Sequence, residues 1–447
     1  MRIGIVGGGL TGLGLAQRLV SDGHEVSVFE RSAQPGGLAT YENHGPFIFD
    51  RYYHVILPTD RHLIGFIEDI GLADQLCWQT TLTGFFVDGE IYSVSNALEF
   101  LKFPALSLWS KMRLAFTILY CSRIENWKRL ESITVEDWLI KLSGRATYEK
   151  LWRPLLLAKL GTSYRQVSAV FIWTYIKRMF SARDRSASRE QMGHVYGGYK
   201  TILDRLERVI AEGGGKVELG VKVNKIFAAS GGGIAITCEQ GTEYFDKVVF
   251  TAPVNVLRDI VDDSLVDIRD AGPDVNYLGV QCMALVTKVP LTPFYVLNIA
   301  DDRIPFTGVV GMSNILDQEE TAGCYLTYLP KYLLSDDPNF GQPESELREA
   351  FLRGLRIMYP DLADDEIVSM RIHRALKVQP LQVLNFSGMV PKSKTQHPDF
   401  FILNTAQFVN NTLNNNEVIR AVDEFLHQYG GEFSGGREAV EQGRRAS

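Results

Sequence analysis

The sequence of 447 residues has few cysteines, no long apolar run and no excess of positive charge. Its five cysteines are widely separated, so they form neither the paired spacing of a metal site nor the dense framework of a secreted disulfide scaffold. The 46 basic and 53 acidic side chains give a formal net charge of −7. Because nucleic-acid binding depends on clustered Lys and Arg, this balance argues against a nucleic-acid partner.

A membrane-spanning helix needs about 20 mostly apolar residues, and no such run exists. The nearest approach, residues 103–124, is interrupted by Lys111, Arg113 and Arg123. The apolar residues after Arg2 form a short, glycine-rich run without the cleavage site of a signal peptide. With 45% hydrophobic and 22% charged residues, the sequence predicts a folded protein, and its length predicts about two or three structural units. The sparse cysteines favour a reducing cytoplasm.

The order of the predicted elements indicates two interleaved domains. A strand at 2–6, a helix at 10–20 and a strand at 25–29 are typical of the start of a doubly wound α/β sheet. A mostly helical stretch follows at 97–179, and a second β-rich region spans 279–329.

These patterns predict a Rossmann-like nucleotide-binding domain, an α+β substrate domain and a flexible tail. The nucleotide-binding domain is assigned to residues 1–96, 190–262 and 395–430. The substrate domain is assigned to residues 97–189 and 263–394, and the tail to 431–447.

Gly7, Gly9 and Gly12 form a G-x-G-x-x-G motif between the first predicted strand and helix. The first glycine permits a tight turn, the second lets a pyrophosphate approach the backbone, and the third lets the helix pack closely. The helix N-terminus at Leu10 and Thr11 offers free N–H groups and partial positive charge to phosphates. The motif predicts a dinucleotide site, and the alternative is a purely structural turn.

A second group of residues follows the second predicted strand. Glu30 ends that strand, where a carboxylate can accept hydrogen bonds from ribose hydroxyls and repel a 2′-phosphate. Arg31 follows, and Gly36, Gly37 and Leu38 come next in a segment whose glycines let the backbone run against a ligand. The alternative is a loop turn without a ligand.

Together these residues resemble the flavin-containing amine oxidase and protoporphyrinogen oxidase superfamily, in which E-[RK]-x-x-x-x-G-G-[RL]-x-x-[ST] follows the flavin pyrophosphate. Leu38 stands where many relatives have Arg, and Thr40 lies one residue early. Further blocks resemble its bacterial protoporphyrinogen oxidase-like branch, namely residues 151–155, 197–199, 305–308, 325–329 and 379–380. The resemblance implies FAD, held non-covalently because no Cys or His lies in a recognisable attachment motif.

Residues 47–54 resemble the segment that passes beside the isoalloxazine ring in this superfamily and in UDP-galactopyranose mutase. The resemblance places Tyr53 against the flavin and makes His54 a catalytic candidate, with a core aromatic and a structural histidine as the alternatives. Lys377 is a second catalytic candidate, and its alternative is a surface lysine. By the same resemblance, the backbone of Val223 contacts the adenine end.

Asn404 and Asn416 take the place of the family's closing flavin motif. Asn is a favoured N-cap residue. A helix that starts near Asn416 would aim its positive end at the flavin pyrimidine and favour the negative charge that develops on reduction. The alternative is an asparagine loop that only caps the helix.

Residues 102–129 interleave aromatic and aliphatic residues with Lys and Arg, which is typical of a helix at a membrane surface. This pattern predicts peripheral contact with the inner face of the membrane. The alternative is a helix whose apolar face packs against the protein core.

The resemblance implies an FAD-dependent oxidoreductase that removes a hydride from a C–N or C–C bond of a small-molecule substrate. One alternative is a non-redox flavoenzyme that acts on a nucleotide sugar, as UDP-galactopyranose mutase does. That enzyme needs an Arg pair to hold a diphosphate, for which Arg178, Arg183 and Arg185 are candidates. The other alternative is a flavin-bearing scaffold without catalytic activity.

Overall fold

Strands and helices alternate along the chain in the structure, a computed structural model that describes residues 1–181, 190–266 and 275–433. The strands are β1 (Arg2–Val6), β2 (Glu25–Glu30), β3 (Tyr41–Asn43), β4 (Ile48–Asp50), β5 (Leu76–Thr81), β6 (Thr83–Val87), β7 (Glu90–Ser93), β8 (Glu190–Val195), β9 (Lys216–Leu219), β10 (Val223–Ala228), β11 (Ile234–Cys238), β12 (Gly241–Phe245), β13 (Lys247–Phe250), β14 (Tyr277–Thr287), β15 (Val296–Ile299), β16 (Gly308–Gly311), β17 (Tyr325–Leu334), β18 (Ile367–Pro380) and β19 (Phe400–Ile402). The helices are α1 (Leu10–Ser21), α2 (Arg61–Asp69), α3 (Ala97–Lys102), α4 (Leu108–Ser122), α5 (Val135–Ser143), α6 (Arg145–Thr147), α7 (Arg153–Leu160), α8 (Ala169–Ser181), α9 (Tyr199–Glu212), α10 (Val254–Ile260), α11 (Glu344–Met358) and α12 (Asn415–Phe433).

A parallel five-stranded sheet in the order β19-β13-β1-β2-β9 forms the centre of the predicted nucleotide-binding domain. Its strands alternate between two buried faces. On β13, Val249 faces the layer of α1, α2, α9 and α12, whereas Val248 and Phe250 face the β10-β11-β12 sheet and α10. Both faces are therefore covered, and the open edge at the carboxyl ends of the strands is where such sheets bind ligands.

A seven-stranded sheet in the order β18-β14-β17-β16-β15-β6-β7 forms the centre of the predicted substrate domain. Its neighbouring strands are antiparallel except β15 and β6. Every residue of β14 is buried. Cys282 and Ala284 pack toward residues 47–57, whereas Met283 and Leu285 pack with α11, so this strand separates two apolar layers.

β6 and β7 belong to this seven-stranded sheet, which corrects the predicted domain boundary at residue 96 for residues 83–93. β6 pairs in parallel with β15, and Thr83 lies opposite Val296. The prediction followed the order of elements along the chain, whereas this pairing joins residues 83 and 296, which are more than 200 positions apart in the sequence.

α12 continues to Phe433, although the sequence predicted a flexible tail from residue 431. The side chain of Phe433 is only 1% exposed, and its ring centroid lies 5.3 Å from that of Phe401 and 6.0 Å from that of Phe425. Burial of this ring favours the additional helical turn. Residues 434–447 lie outside the described part of the chain.

The six helices α3–α8 confirm the prediction of a mostly helical stretch at 97–179. Trp138, Trp152 and Trp173 lie in their common core. None of the described helices is both long enough and apolar enough to cross a bilayer.

Candidate functional site

The two glycine motifs meet at the carboxyl end of β1. The backbone N–H of Gly36 donates to the carbonyl oxygen of Gly8 at 2.7 Å, and Gly9 and Gly36 form an isolated bridge. Gly36 and Gly37 have φ values of 103° and 59°, a region that favours glycine. A Cβ atom on Gly37 would lie 3.2 Å from the Cα atom of Gly9. The motifs therefore form one continuous backbone surface.

A different structural feature explains the glycine at each position of the first motif. Gly7 has a φ of 117°, and a Cβ atom on Gly12 would clash with the carbonyl oxygen of Gly7. A Cβ atom on Gly9, in contrast, would meet nothing within 4 Å in the described structure. Gly9 is also the N-cap residue of α1. Because it has no side chain, it cannot cap the backbone amides of the first helical turn, which begins with Leu10 and Thr11. This open, amide-lined cradle fits a pyrophosphate.

The carboxylate of Glu30 holds the backbone around this cradle. One oxygen accepts a hydrogen bond from the N–H of Gly8 and the other from the N–H of Ser32, each at 2.8 Å. A carboxylate offers about four acceptor positions, so two remain for ribose hydroxyls. Arg31 is exposed and Leu38 is half-buried beside this loop, and Val223 is buried at the start of β10.

Residues 47–54 lie between the two domains. The carboxylate of Asp50 accepts a hydrogen bond from the N–H of Tyr199 at the start of α9, at 2.7 Å. The hydroxyl of Tyr53 shares a hydrogen bond of 2.5 Å with that of Tyr332 on β17. The His54 ring lies 4.9 Å from the Tyr199 ring, and its Nδ1 atom lies 3.7 Å from the Asp50 carboxylate.

Several buried polar atoms around this segment lack a hydrogen-bond partner among the described residues. They are His44 Nδ1, Arg51 Nε, His54 Nδ1 and His373 Nε2. Burial lowers the pKa of His44, and it lowers the pKa of His373 to about 4. Both rings are therefore neutral at neutral pH and can donate or accept a hydrogen bond.

Lys377, the second catalytic candidate, lies half-buried on β18. Burial lowers the pKa of Lys377, Asp259 opposes this shift and Arg31 adds to it. The charged groups that affect Lys377 thus include Arg31, in the loop that follows β2, and do not include His54. A catalytic role for Lys377 stays a prediction.

The predicted closing asparagines both bind protein groups. Asn404 accepts a hydrogen bond from the N–H of Ala406 and caps a short 3₁₀ turn. Asn416 accepts one from the N–H of Leu63 in α2. The residue that caps α12 is Asn414, whose side chain accepts a hydrogen bond from the N–H of Glu417 at 3.1 Å. Contacts of Asn404 and Asn416 with FAD stay a prediction.

Three residues that the sequence did not single out gather beside Tyr53. The Lys159 amine on α7 lies 3.7 Å from the ring centroid of Tyr332 and 5.6 Å from that of Tyr175. The Tyr175 hydroxyl donates to the side-chain oxygen of Gln379 at 3.2 Å. The sequence signal for this group was a lone lysine within the apolar residues 155–160. Nothing in the sequence shows that α7, α8 and β17, which carry the three residues, lie close together.

Arg178 is engaged in an ion pair with the buried carboxylate of Asp60. Two parallel hydrogen bonds of 2.9 Å join the guanidinium to both carboxylate oxygens. Arg183 and Arg185, the other candidates for a diphosphate clamp, lie outside the described residues. Within the described ranges, no group of three or more His, Cys, Asp or Glu side chains could hold a metal ion.

Comparison with known proteins identifies the family of this chain. Residues 10–374 match the model of flavin containing amine oxidoreductases. The chain is 37% identical over 102 residues to 4,4'-diapophytoene desaturase (4,4'-diaponeurosporene-forming) from Staphylococcus haemolyticus. That match spans 22% of this chain and only 20% of the desaturase.

Two solved structures share the fold. A candidate protoporphyrinogen oxidase from Exiguobacterium sp. 255-15 superimposes with a TM-score of 0.71 at 17% identity, over 96% of this chain and 98% of that one. Reduced UDP-galactopyranose mutase superimposes with a TM-score of 0.73 at 17% identity, over 96% and 95%. At such identities the likeness shows the fold alone.

Proposed function

The chain belongs to the flavin containing amine oxidoreductases, an FAD-binding oxidoreductase family, and we propose that it removes a hydride from a C–N or C–C bond of a small-molecule substrate. Bound FAD supplies the hydride acceptor, and the protein orients the donor and keeps water away. The cradle of Gly9 and Gly36, together with the acceptor carboxylate of Glu30, fits the pyrophosphate and ribose of this cofactor.

The observation that carries the proposal is the attachment of residues 47–54 to both domains. Asp50 binds the start of α9 in the nucleotide domain, and Tyr53 binds Tyr332 in the seven-stranded sheet. A hydride donor and its acceptor have to meet where these domains join. His54 lies at that junction, with its Nδ1 atom 3.7 Å from the Asp50 carboxylate, and a histidine is a common proton donor or acceptor in catalysis.

The mutase-like alternative has less support. It needs a pair of arginines for a diphosphate, and the guanidinium of Arg178 is already paired with Asp60 in the described structure. We therefore favour redox chemistry over the transfer of a nucleotide sugar.

An anaerobic titration tests the proposal. The FAD-bound protein is mixed with amines, compounds with activated C–C bonds and nucleotide sugars, and bleaching of the flavin band is recorded. Bleaching by one of the first two classes is expected, and His54→Ala should slow it while FAD stays bound. The matched control is His62→Ala on α2, whose ring pairs with Asp423. A flavin that no substrate bleaches, but whose reduced form binds nucleotide sugars, would favour the mutase-like alternative.

We also propose that α3 and α4 contact an anionic membrane surface. On α4 the buried face carries Leu114 and Cys121, which pack in the helical core, together with the polar Ser110, Lys111 and Thr117. Trp109 and Phe116, in contrast, are 67% and 60% exposed. α4 therefore has a second apolar face that points away from the core.

Cations border this apolar face. A surface groove of about 380 Å³ is lined by Trp109, Met112, Arg113, Phe116, Lys141 and Leu142. Aromatic side chains flanked by Lys and Arg are typical of helices that lie in the interface of anionic lipids.

Flotation with vesicles tests this surface. The protein should float with phosphatidylserine vesicles at low salt, and Trp109→Ser with Phe116→Ser should remain in the dense fraction. Ile357→Ser, at an exposed apolar position of α11, serves as the control that should still float. Equal flotation of all three proteins, or none by the unaltered protein, would contradict the proposal.

A further inference from the structure

Lys159 occupies an unusual position for a lysine. It lies on α7, and its amine stands over the ring of Tyr332 with the Tyr175 ring nearby. The amine is closely surrounded by protein, whereas the residue as a whole is only half-buried.

The Lys159 amine has no acidic partner among the described residues. Burial alone lowers the pKa of Lys159 to about 7, and no acidic side chain among the described residues opposes the shift. The groups around it are ring faces and neutral hydroxyls, since Tyr53 bonds to Tyr332 and Tyr175 to Gln379. Ring faces attract a cation only weakly compared with a carboxylate, so a buried ammonium here lacks a full partner.

The position of the Lys159 amine connects it with the proposed reaction. Tyr332 joins Lys159 to Tyr53, which precedes His54 in the segment between the two domains. Tyr53, Tyr332 and Val378 belong to one apolar cluster beneath the seven-stranded sheet. The amine therefore faces the same region as the residues that we expect beside the flavin.

We propose that the Lys159 amine binds an oxyanion of the substrate, a carboxylate or a phosphate, and so selects anionic substrates over simple cationic amines. The inference rests on the proposed function, because it names the substrate class of that site. An oxyanion would supply the missing opposite charge. A substrate ammonium would meet a like charge, and the Tyr332 ring face that could hold it is already covered by Lys159.

Oxyanion binding should be accompanied by proton uptake near neutral pH. The other titratable groups that face the amine are hydroxyls whose pKa values burial raises, to about 12 for Tyr175 and further for Tyr53 and Tyr332. The thiol of Cys282 also has a pKa raised by burial, and Arg178 is near Tyr175. Among these described groups, the amine is the one whose pKa lies near 7, and a bound oxyanion favours its protonated form.

The test uses the FAD-bound protein and three probes of similar size, benzoate, phenyl phosphate and benzylamine. Calorimetry in two buffers of different ionisation enthalpy gives affinity and proton uptake without turnover. One of the two anions should bind at least about tenfold more tightly than benzylamine, and the preferred one identifies the oxyanion. Lys159→Met should abolish this preference and the proton uptake.

Lys177→Met is the matched control, because Lys177 also stands over an aromatic ring, that of Trp173 at 4.9 Å, but is exposed on α8. It should retain the preference. If Lys159→Met does not fold, Lys159→Gln replaces it, with retention of the flavin band as the criterion of folding.

A Lys159 variant that keeps the anion preference, or an unaltered protein that prefers benzylamine, would overturn the inference. Flavin reduction by plain amines at a rate that Lys159→Met leaves unchanged would also overturn it while supporting the proposed function. Lys159-dependent anion binding without any substrate-driven flavin reduction would contradict the proposed function and leave the oxyanion site standing.

Discussion

The N–H of Gly36 and the carbonyl oxygen of Gly8, 2.7 Å apart, join two glycine motifs that the sequence separates by a whole strand. This bond places the second motif against the turn that opens α1. Glu30 adds a second tie, because it accepts a hydrogen bond from the N–H of Gly8. The cradle is therefore held in shape before any ligand arrives, which lowers the entropic cost of binding.

Two glycine substitutions should separate FAD binding from folding. Gly9→Val places its side chain in open space, so the fold should survive while FAD affinity falls at least about tenfold. Gly12→Ala forces a Cβ atom against the carbonyl of Gly7 and should lower the free energy of unfolding by about 1–3 kcal/mol. Circular dichroism and the flavin spectrum distinguish the two. A yellow Gly9→Val protein with full occupancy would refute the assignment of the cradle.

Glu30→Gln should weaken both the loop and the FAD site. The amide replaces one acceptor oxygen by a donor, which faces the N–H of Gly8 or of Ser32. We expect the free energy of unfolding to fall by about 1–3 kcal/mol. Urea denaturation measures it, and Glu25→Gln, whose partner Arg2 is exposed, should change it by less than about 1 kcal/mol. Similar losses in both variants would contradict the role of Glu30.

Asp60→Asn should destabilise the contact between α2 and α8. The substitution removes the charge that faces Arg178 across two hydrogen bonds of 2.9 Å, and both partners are largely buried. The free energy of unfolding should fall by about 3 kcal/mol or more. Glu349→Gln, in an exposed pair with Arg353, is the control and should cost less than about 0.5 kcal/mol. The prediction fails if chemical denaturation shows equal effects.

The stability of the protein should decrease on acidification through His373. Burial lowers its pKa from 6.5 to about 4, so the folded state binds the proton less readily than the unfolded state. Stability is fully present above pH 6.5 and is lost as the pH falls toward 4, by about 2 kcal/mol after allowance for partial exposure.

His373→Gln should remove this part of the pH dependence, as measured by urea denaturation between pH 7 and 4. The part of the pH dependence that arises from His44, whose pKa burial also lowers, should persist in this variant. His427→Gln on the exposed face of α12 is the control. An unchanged pH profile in the His373 variant would show that its ring is not protonated on unfolding in this range.

The sequence predicted those parts of the fold that depend on short-range patterns. The short apolar run of β1 and the glycines of the first turn predict a nucleotide-binding domain, because both patterns lie within a few residues. The pairing of Thr83 with Val296 could not be read in this way, since it depends on contacts across the chain.

The same limit applies to the candidate site. Glu30 follows from its place at the end of a strand, whereas Lys159 gains its meaning only from Tyr332 and Tyr175, which lie on other elements. The direction of α4 was also open in the sequence, because its apolar residues could have faced either way. In the structure Lys111 is buried, and its amine donates to the carbonyl of Leu101 at 2.6 Å. The face of α4 that carries Lys111 therefore points inward.

The order of strands in the five-stranded sheet has a consequence for synthesis on the ribosome. β1 is made first, yet its neighbour β13 and the edge strand β19 are made much later, and α12 covers α1 only after residue 415. Until then the part of α1 that α12 covers stays exposed, although β2 and α9 already pack on its other side, and long-range parallel pairing is slow. The phosphate-binding turn is thus synthesised long before its sheet is complete, and we expect stable cofactor binding only after β19 and α12 have been made.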